Sequence, residues 1–345
     1  MKATIHSQMR AGLYGLCLFG VILLGSGFAA LTGGEPLPSW HDRPTKQALL
    51  TFVANVSNKN HQDYVPPADR IAAFDNDGTL WAEQPVYFQL LFAVDQIKQR
   101  AAHHPEWHTT EPFASILKGD LQGGLIAGGA EKIKENLLQV ITASHGTITS
   151  DEFAAAVRTW IAQAQHPTKR RPYTSLVYQP MLELIDHLHN NDFKVFIVSG
   201  GGIDFMRVFS QEVYDIPPER VIGSSVEAEY RLVDGVPTIM KLPAIHFIDD
   251  KEGKPVAIHQ QIGKRPLLAA GNSDGDFAML QWTTAGPSPR LGLIVHHTDA
   301  KREWAYDRDS HIGGLVRGLD EGPQLGWLFA DIRQDWKTIF PAHER

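Results

Sequence analysis

The chain has 345 residues, 43% of them hydrophobic and 21% charged, with a formal net charge of -7. That is enough chain and apolar content for one large domain, or for a core with an insertion, and it excludes a disordered polypeptide. The acidic balance leaves no electrostatic footprint for nucleic acid, and a single cysteine, Cys17, excludes an internal disulfide framework.

Taken in chain order, the N-terminus reads differently from the rest. Lys2 and Arg10 precede an uncharged apolar run, Ala11 to Leu24, which is closed by small residues at Gly25-Ser26-Gly27-Phe28-Ala29-Ala30. This is the layout of an export signal over residues 1–29, with cleavage after Ala29 and a periplasmic or secreted product. The uncharged stretch to about Gly34 is also long enough to remain as a membrane anchor facing the periplasm. Without that anchor no membrane contact is expected. Residues 30–70 read as an N-terminal arm, Pro-rich at both ends around an amphipathic piece from Gln47 to Val56.

Ile71 to Phe74 is an apolar run of strand type that ends in Asp75-Asn76-Asp77-Gly78-Thr79-Leu80. Side chains at i and i+2 of an extended segment point the same way, so Asp75 and Asp77 address one small volume. Two carboxylates in one volume call for a cation beside them. Helices are predicted from Pro85 to about Ala102, Glu111 to Lys118, Ala130 to Ser144 and Ser150 to Gln165. Thr149 and Glu152 form a capping-box pattern before the last of these. Gly119 to Gly129 reads as a loop, because no Lys-Ser/Thr follows it to make a phosphate cradle. Lys169-Arg170-Arg171, between Pro167 and Pro172, reads as a solvated linker. Residues 84–174 are therefore predicted to be a helical insertion.

Strand and helix then alternate. A helix is predicted from Tyr178 to Asn190 and a buried strand from Phe193 to Val198, ending in Ser199-Gly200-Gly201-Gly202. Val226 to Lys241 alternates around Asp234-Gly235 as a small hairpin. Leu267 to Ala270 is a buried strand ending in Gly271-Asn272-Ser273-Asp274-Gly275-Asp276. Leu291 to Val295 supplies another strand before a Trp-rich tail. The pattern predicts an α/β fold with a mainly parallel sheet, and in such sheets ligands bind beyond the carboxyl ends of the strands.

If the three polar strand ends are neighbours, each has a role in phosphoryl transfer. Asp75 is the candidate nucleophile, attacking phosphorus to form an acyl-phosphate. Asp77 is the candidate acid, protonating the leaving oxygen and then deprotonating the hydrolytic water. The Ser199 hydroxyl, the Gly200 N–H and Lys254 are candidates to hold phosphoryl oxygens. Asp75, the Asp77 carbonyl, Asn272 and Asp276 offer the hard oxygen ligands that Mg2+ prefers. Glu83 is a candidate for meeting the leaving group, while Trp81, Tyr87 and Phe88 read as core. His296 and His297 point apart on a strand and do not share an ion. Asp249-Asp250 reads as a solvated turn.

These motifs, in this order, resemble the haloacid dehalogenase superfamily, in its phosphatase branch near phosphoserine phosphatases. Asp75-Asn76-Asp77-Gly78-Thr79 is similar to the Asp-x-Asp-Gly-Thr signature. Ser199-Gly200-Gly201, Lys254 and Gly271-Asn272-Ser273-Asp274-Gly275-Asp276 resemble the second, third and fourth motifs. The resemblance implies a Rossmann-like core over residues 71–83 and 175–345, with residues 84–174 as the cap. It further implies Mg2+ and an aspartyl-phosphate intermediate. One departure stands out, since the branch usually has Asp where Asn272 stands. Asn lowers the charge available to Mg2+, unless Asp274 and Asp276 compensate, and it also lessens repulsion of a phosphate dianion. The expected activity is a phosphomonoesterase acting on a small phosphorylated metabolite. The alternatives are a non-catalytic envelope binding protein on a degenerate fold of this type, or a metal-independent dehalogenase.

Overall fold

A computed structural model describes residues 34–125, 130–145, 147–287 and 289–342, so the predicted export signal lies outside the described residues. The described strands form an eight-stranded sheet in the order β2-β5-β4-β3-β1-β6-β7-β8. They are β1 (Ile71–Phe74), β2 (Ile148–Thr149), β3 (Lys194–Gly202), β4 (Val221–Val233), β5 (Val236–Phe247), β6 (Leu268–Gly271), β7 (Leu291–His296) and β8 (Leu328–Asp331). From β4 through β8 in that order neighbours run parallel, while β5 and β2 add antiparallel pairs at one edge.

The centre is apolar on both faces because both faces are covered. Ala72 and Phe74 of β1 belong to one buried cluster and Ala73 to the other, as a period of two requires. The first cluster takes in Leu49, Val53 and Val56 of α1 (Pro44–Ser57), so this helix packs on the core.

Residues 84–174 carry α2 (Phe88–Arg100), α3 (Phe113–Leu117), α4 (Leu121–Leu125), α5 (Ala130–His145) and α6 (Ser150–Gln163). One side of α2, through Phe88 and Phe92, shares the sheet's own cluster with Phe153, Val157 and Trp160 of α6. The other side, through Leu90, Val94 and Ile97, packs with Trp107, Phe113, Ile116 and Val140 in a separate cluster. Thus α6 belongs to the base, and α3 to α5 form an outer layer. After the insertion come α7 (Gln179–His189), α8 (Ile203–Arg207), α9 (Ser210–Tyr214), α10 (Gly253–Ile262) and α11 (Phe277–Thr284).

Several details depart from the sequence expectations. The small hairpin is a long one: β4 has 13 residues and β5 has 12. Asp234 and Gly235 have φ of 50° and 80°, the two left-handed positions a tight two-residue hairpin turn demands. The Gly-rich stretch holds α4, whose first turn is closed by Gly123 N–H donating to Asp120 Oδ1 at 2.7 Å. Helix α2 starts at Phe88 instead of Pro85. The basic run is no free linker. Lys169 Nζ donates to the carbonyls of Arg302 and Glu303 and lies 4.4 Å from the Trp304 ring centre, and Arg171 donates to the Pro341 carbonyl at 3.0 Å. Strand β8, inside the Trp-rich tail, extends the sheet beside β7.

Candidate active site

Strands β3, β1 and β6 are adjacent, so the three polar strand ends converge at the carboxyl edge of the sheet. The turn after β1 is tight. The Asn76 carbonyl accepts from the N–H groups of Leu80 (2.8 Å) and Trp81 (3.2 Å), and Gly78 N–H donates back to the Trp81 carbonyl at 2.8 Å. Gly78 sits at φ 75°, and a side chain there would collide with Asn272 and Glu83. Only glycine fits that position.

Lys254, near the start of α10, is the electrostatic centre. Its Nζ donates to Asp75 Oδ1 at 2.6 Å, Asp276 Oδ1 at 2.6 Å and the Val198 carbonyl at 2.9 Å. All three charged groups are buried. Burial alone lowers the lysine's pKa, but Asp276 and Asp75 overcome it and hold it above its ordinary value. The other oxygen of Asp276, Oδ2, accepts from the N–H groups of Asn272 (3.0 Å) and Ser273 (3.1 Å). Both oxygens of Asp276 are thus engaged within the protein.

Burial pushes the Asp75 carboxyl well above the usual range; Asp276 adds to the shift and Lys254 opposes it. Asp77 is raised to about 6, mainly by burial, while its bond from Trp81 Nε1 (2.7 Å) works the other way. Ser199, buried at the end of β3, accepts from Gly201 N–H at 3.1 Å, and Gly202 N–H is taken by Gln89 Oε1 at 2.6 Å. Asp75, Asp77, Glu83, Ser199, Gly200, Lys254 and Asp276 all line one cavity of about 620 Å³.

Asn272 does not line that cavity directly but bridges two groups beside it. Its Nδ2–H donates to Glu83 Oε1 at 2.7 Å, and its Oδ1 accepts from Thr79 Oγ1 at 3.3 Å. Glu83 also accepts from the Tyr306 hydroxyl at 2.8 Å, and burial holds its carboxyl well above the usual range. Asp274 is elsewhere: its carboxylate accepts from the N–H groups of Val316, Arg317 and Gly318. Help from Asp274 in balancing Asn272 is therefore ruled out by its position.

Other residues escaped the sequence reading. His297 Nε2 lies 2.8 Å from the Gly78 carbonyl and its Nδ1 lies 3.1 Å from Glu303 Oε2, so it braces the turn from below. Asp249, expected in a solvated turn, is fully buried, and neither of its carboxylate oxygens has a hydrogen-bond partner. Nothing local in the sequence marks either residue. Trp81 and Phe88 are buried core as expected, while Tyr87 lines the cavity.

A hard divalent cation suits this donor set. Asp75, Glu83, Asp249 and Asp276 are buried with Asp77 beside them, and Lys254 is the only cation bonded to any of the five among the described residues. Carboxylate, amide and main-chain oxygens at the ends of β1 and β6 are the ligands Mg2+ takes. No group of three His, Cys, Asp or Glu side chains among the described residues is arranged to hold a metal. Two of the proposed donors, Asn272 and a carbonyl, stand outside those residue types.

A family model described as haloacid dehalogenase-like hydrolase matches residues 72–281. The chain belongs to that family. Among solved structures, this hydrolase is similar to a protein of unknown function from Bordetella pertussis Tohama I, with 15% identity, 76% of this chain and 99% of that chain covered, and a TM-score of 0.46. It is similar to a phosphoserine phosphohydrolase-like protein from Francisella tularensis subsp. tularensis SCHU S4, at 15% identity over 74% and 99% of the chains, TM-score 0.38. A probable phosphoserine phosphatase from Vibrio cholerae matches at 17% identity over 77% and 68% of the chains, TM-score 0.36. No curated protein matches the chain.

Proposed function

We propose that the hydrolase is a Mg2+-dependent phosphomonoesterase working through phospho-Asp75. The observation that carries this reading is the Asp75–Lys254–Asp276 chain of bonds at the mouth of adjacent strands, open to a cavity that Asp77 and Ser199 also line. Asp75 attacks phosphorus, and the bond from phosphorus to the ester oxygen breaks. Asp77 gives that oxygen its proton, and an alcohol leaves. Water then attacks the acyl-phosphate, loses a proton to Asp77, and inorganic phosphate departs with Asp75 restored. A carboxyl raised to about 6 suits both halves of that exchange.

Ser199 Oγ and Gly200 N–H hold the phosphoryl oxygens as charge develops, and Lys254, its three donors directed to Asp75, Asp276 and the Val198 carbonyl, supplies positive charge beside them. Asp75 and the Asp77 carbonyl would hold Mg2+, with Asn272 beside them, and the ion would supply positive charge against the incoming dianion. Asp276, with both oxygens occupied, aims Lys254 and would be at most an indirect ligand of the ion. Residues 84–174 act as the cap, with α5 lining the cavity through Leu138 and Ile141. The N-terminal sequence supports export to the periplasm, and no helix among the described residues is long and apolar enough to cross a membrane.

The test is hydrolysis of p-nitrophenyl phosphate with and without Mg2+. Asp75→Asn is expected to abolish turnover and keep the fold, and unchanged turnover would remove Asp75 from its role. Asp77→Asn is expected to slow esters with poor leaving groups most, and an equal loss across leaving groups would remove the acid role.

A further inference from the structure

The chemistry above uses one end of the cavity and leaves the other unexplained. Its volume, about 620 Å³, is that of pockets enclosing an entire drug-sized ligand. A phosphoryl group on a small amino alcohol fills only part of it. Away from Asp75 the wall is aliphatic: Leu90 of α2, Leu138 and Ile141 of α5, Val226 of β4, Ile245 of β5 and Ile248 just beyond. Two helices and the β4–β5 hairpin contribute to that wall, so it is a built surface and not one helix's stray face.

Its charged lining narrows the choice. Lys241 is buried and already paired with Asp204, which also lines the cavity. Asp250, beside Gly200 and Gly275, and Glu252 add further acid to the lining, with Lys251 as a further base. A leaving group bearing its own carboxylate or a second phosphate would meet net repulsion. Tyr87, next to Glu83 in the cavity, supplies the only aromatic ring among the described lining residues, which leaves the aliphatic end without a stacking face for a nucleobase. We infer that the alcohol released carries an aliphatic chain, so that the substrate class is alkyl phosphate monoesters and not phosphorylated amino acids or nucleosides. This rests on the phosphomonoesterase reading of the same site.

The experiment is a chain-length series, from methyl to decyl phosphate, on the full-length protein with Mg2+ and below the micelle threshold. Phosphoserine, phosphocholine, a nucleoside 5′-monophosphate and p-nitrophenyl phosphate serve as comparators. Each buried methylene is expected to raise kcat/KM about three- to fourfold until the wall is covered. Decyl phosphate should then exceed methyl phosphate by at least about a hundredfold and exceed phosphoserine as well. Leu138→Ser and Ile141→Ser should each flatten the slope against chain length. Hydrolysis of p-nitrophenyl phosphate with a flat series, or with phosphoserine or the nucleotide preferred, overturns the aliphatic assignment and leaves the phosphatase reading intact. Hydrolysis of no ester at all overturns both.

Discussion

Asn272 and Glu83 have to be understood as a pair. The Asn272 amide donates a hydrogen bond to Glu83 and turns its oxygen toward Thr79, an orientation a carboxylate cannot copy. Asn272→Asp would set two buried acids against each other at the 2.7 Å now spanned by a hydrogen bond. The single variant is expected to lose at least about tenfold in kcat/KM at neutral pH, and Glu83→Gln in the same chain should restore most of it. A single variant faster than the parent would sink this coupling. Asp249 offers a second test at this scale. Burial raises its carboxyl to about 7 from an ordinary 3.8. Between about pH 4 and about 7 the folded protein keeps a proton that the unfolded chain has lost, so stability falls as pH rises through that window. Asp249→Asn removes this contribution, and urea unfolding should show it gaining a few kcal/mol over the parent at pH 8 and little at pH 4. A constant difference across pH would refute the assignment. The two cases also separate what sequence can and cannot say. Asp75, Asp77, Ser199 and Asp276 were legible because each ends an apolar run whose burial is a local property. Asp249 and His297 were not, since their burial is decided by partners such as Gly78, 219 positions away from His297.

Among elements, α6 shows local chemistry dictating structure. The Thr149 side chain accepts from Glu152 N–H at 3.0 Å and Glu152 Oε2 accepts from Thr149 N–H at 2.8 Å, the reciprocal cap expected from the two residue types. Because Phe153, Val157 and Trp160 of this helix lie in the sheet's cluster, loosening its start weakens the base of the molecule. Thr149→Ala is expected to cost about 1 kcal/mol in urea unfolding, and Thr149→Ser almost nothing. Equal losses in both variants would show that the methyl group, and not the cap, matters. Helices with caps and apolar stripes were therefore readable to within a few residues. Strand β8 was not, because Leu328, Phe329 and Asp331 are only half-buried and give no clean alternation. The hairpin's length was hidden for a related reason: most of β4 beyond Glu227 is exposed, and only pairing with β5 defines it.

For the molecule as a whole, the sharpest consequence of the site is thermodynamic. Folding buries Asp75 and Asp276 on one lysine with Asp77 and Asp249 near by, so a divalent cation bound at Asp75 would relieve part of their repulsion. A cation bound only by the folded form stabilises it by about 2.7 kcal/mol at a hundred times its Kd. In thermal unfolding with excess Mg2+ the Tm is expected to rise by about 5 °C or more over the same protein in chelator. Asp75→Asn should reverse the order of the two proteins. In chelator the variant unfolds above the parent, because an acid that burial and Asp276 both disfavour has lost its charge. In Mg2+ it is expected to unfold below the parent, because the same change would remove a proposed ligand of the cation. Burial strain alone predicts the first inequality, and a lost contact alone predicts a variant that is weaker in both conditions. Only a cation shared by the strand ends gives the crossing, and parallel shifts of both proteins would place the metal away from Asp75.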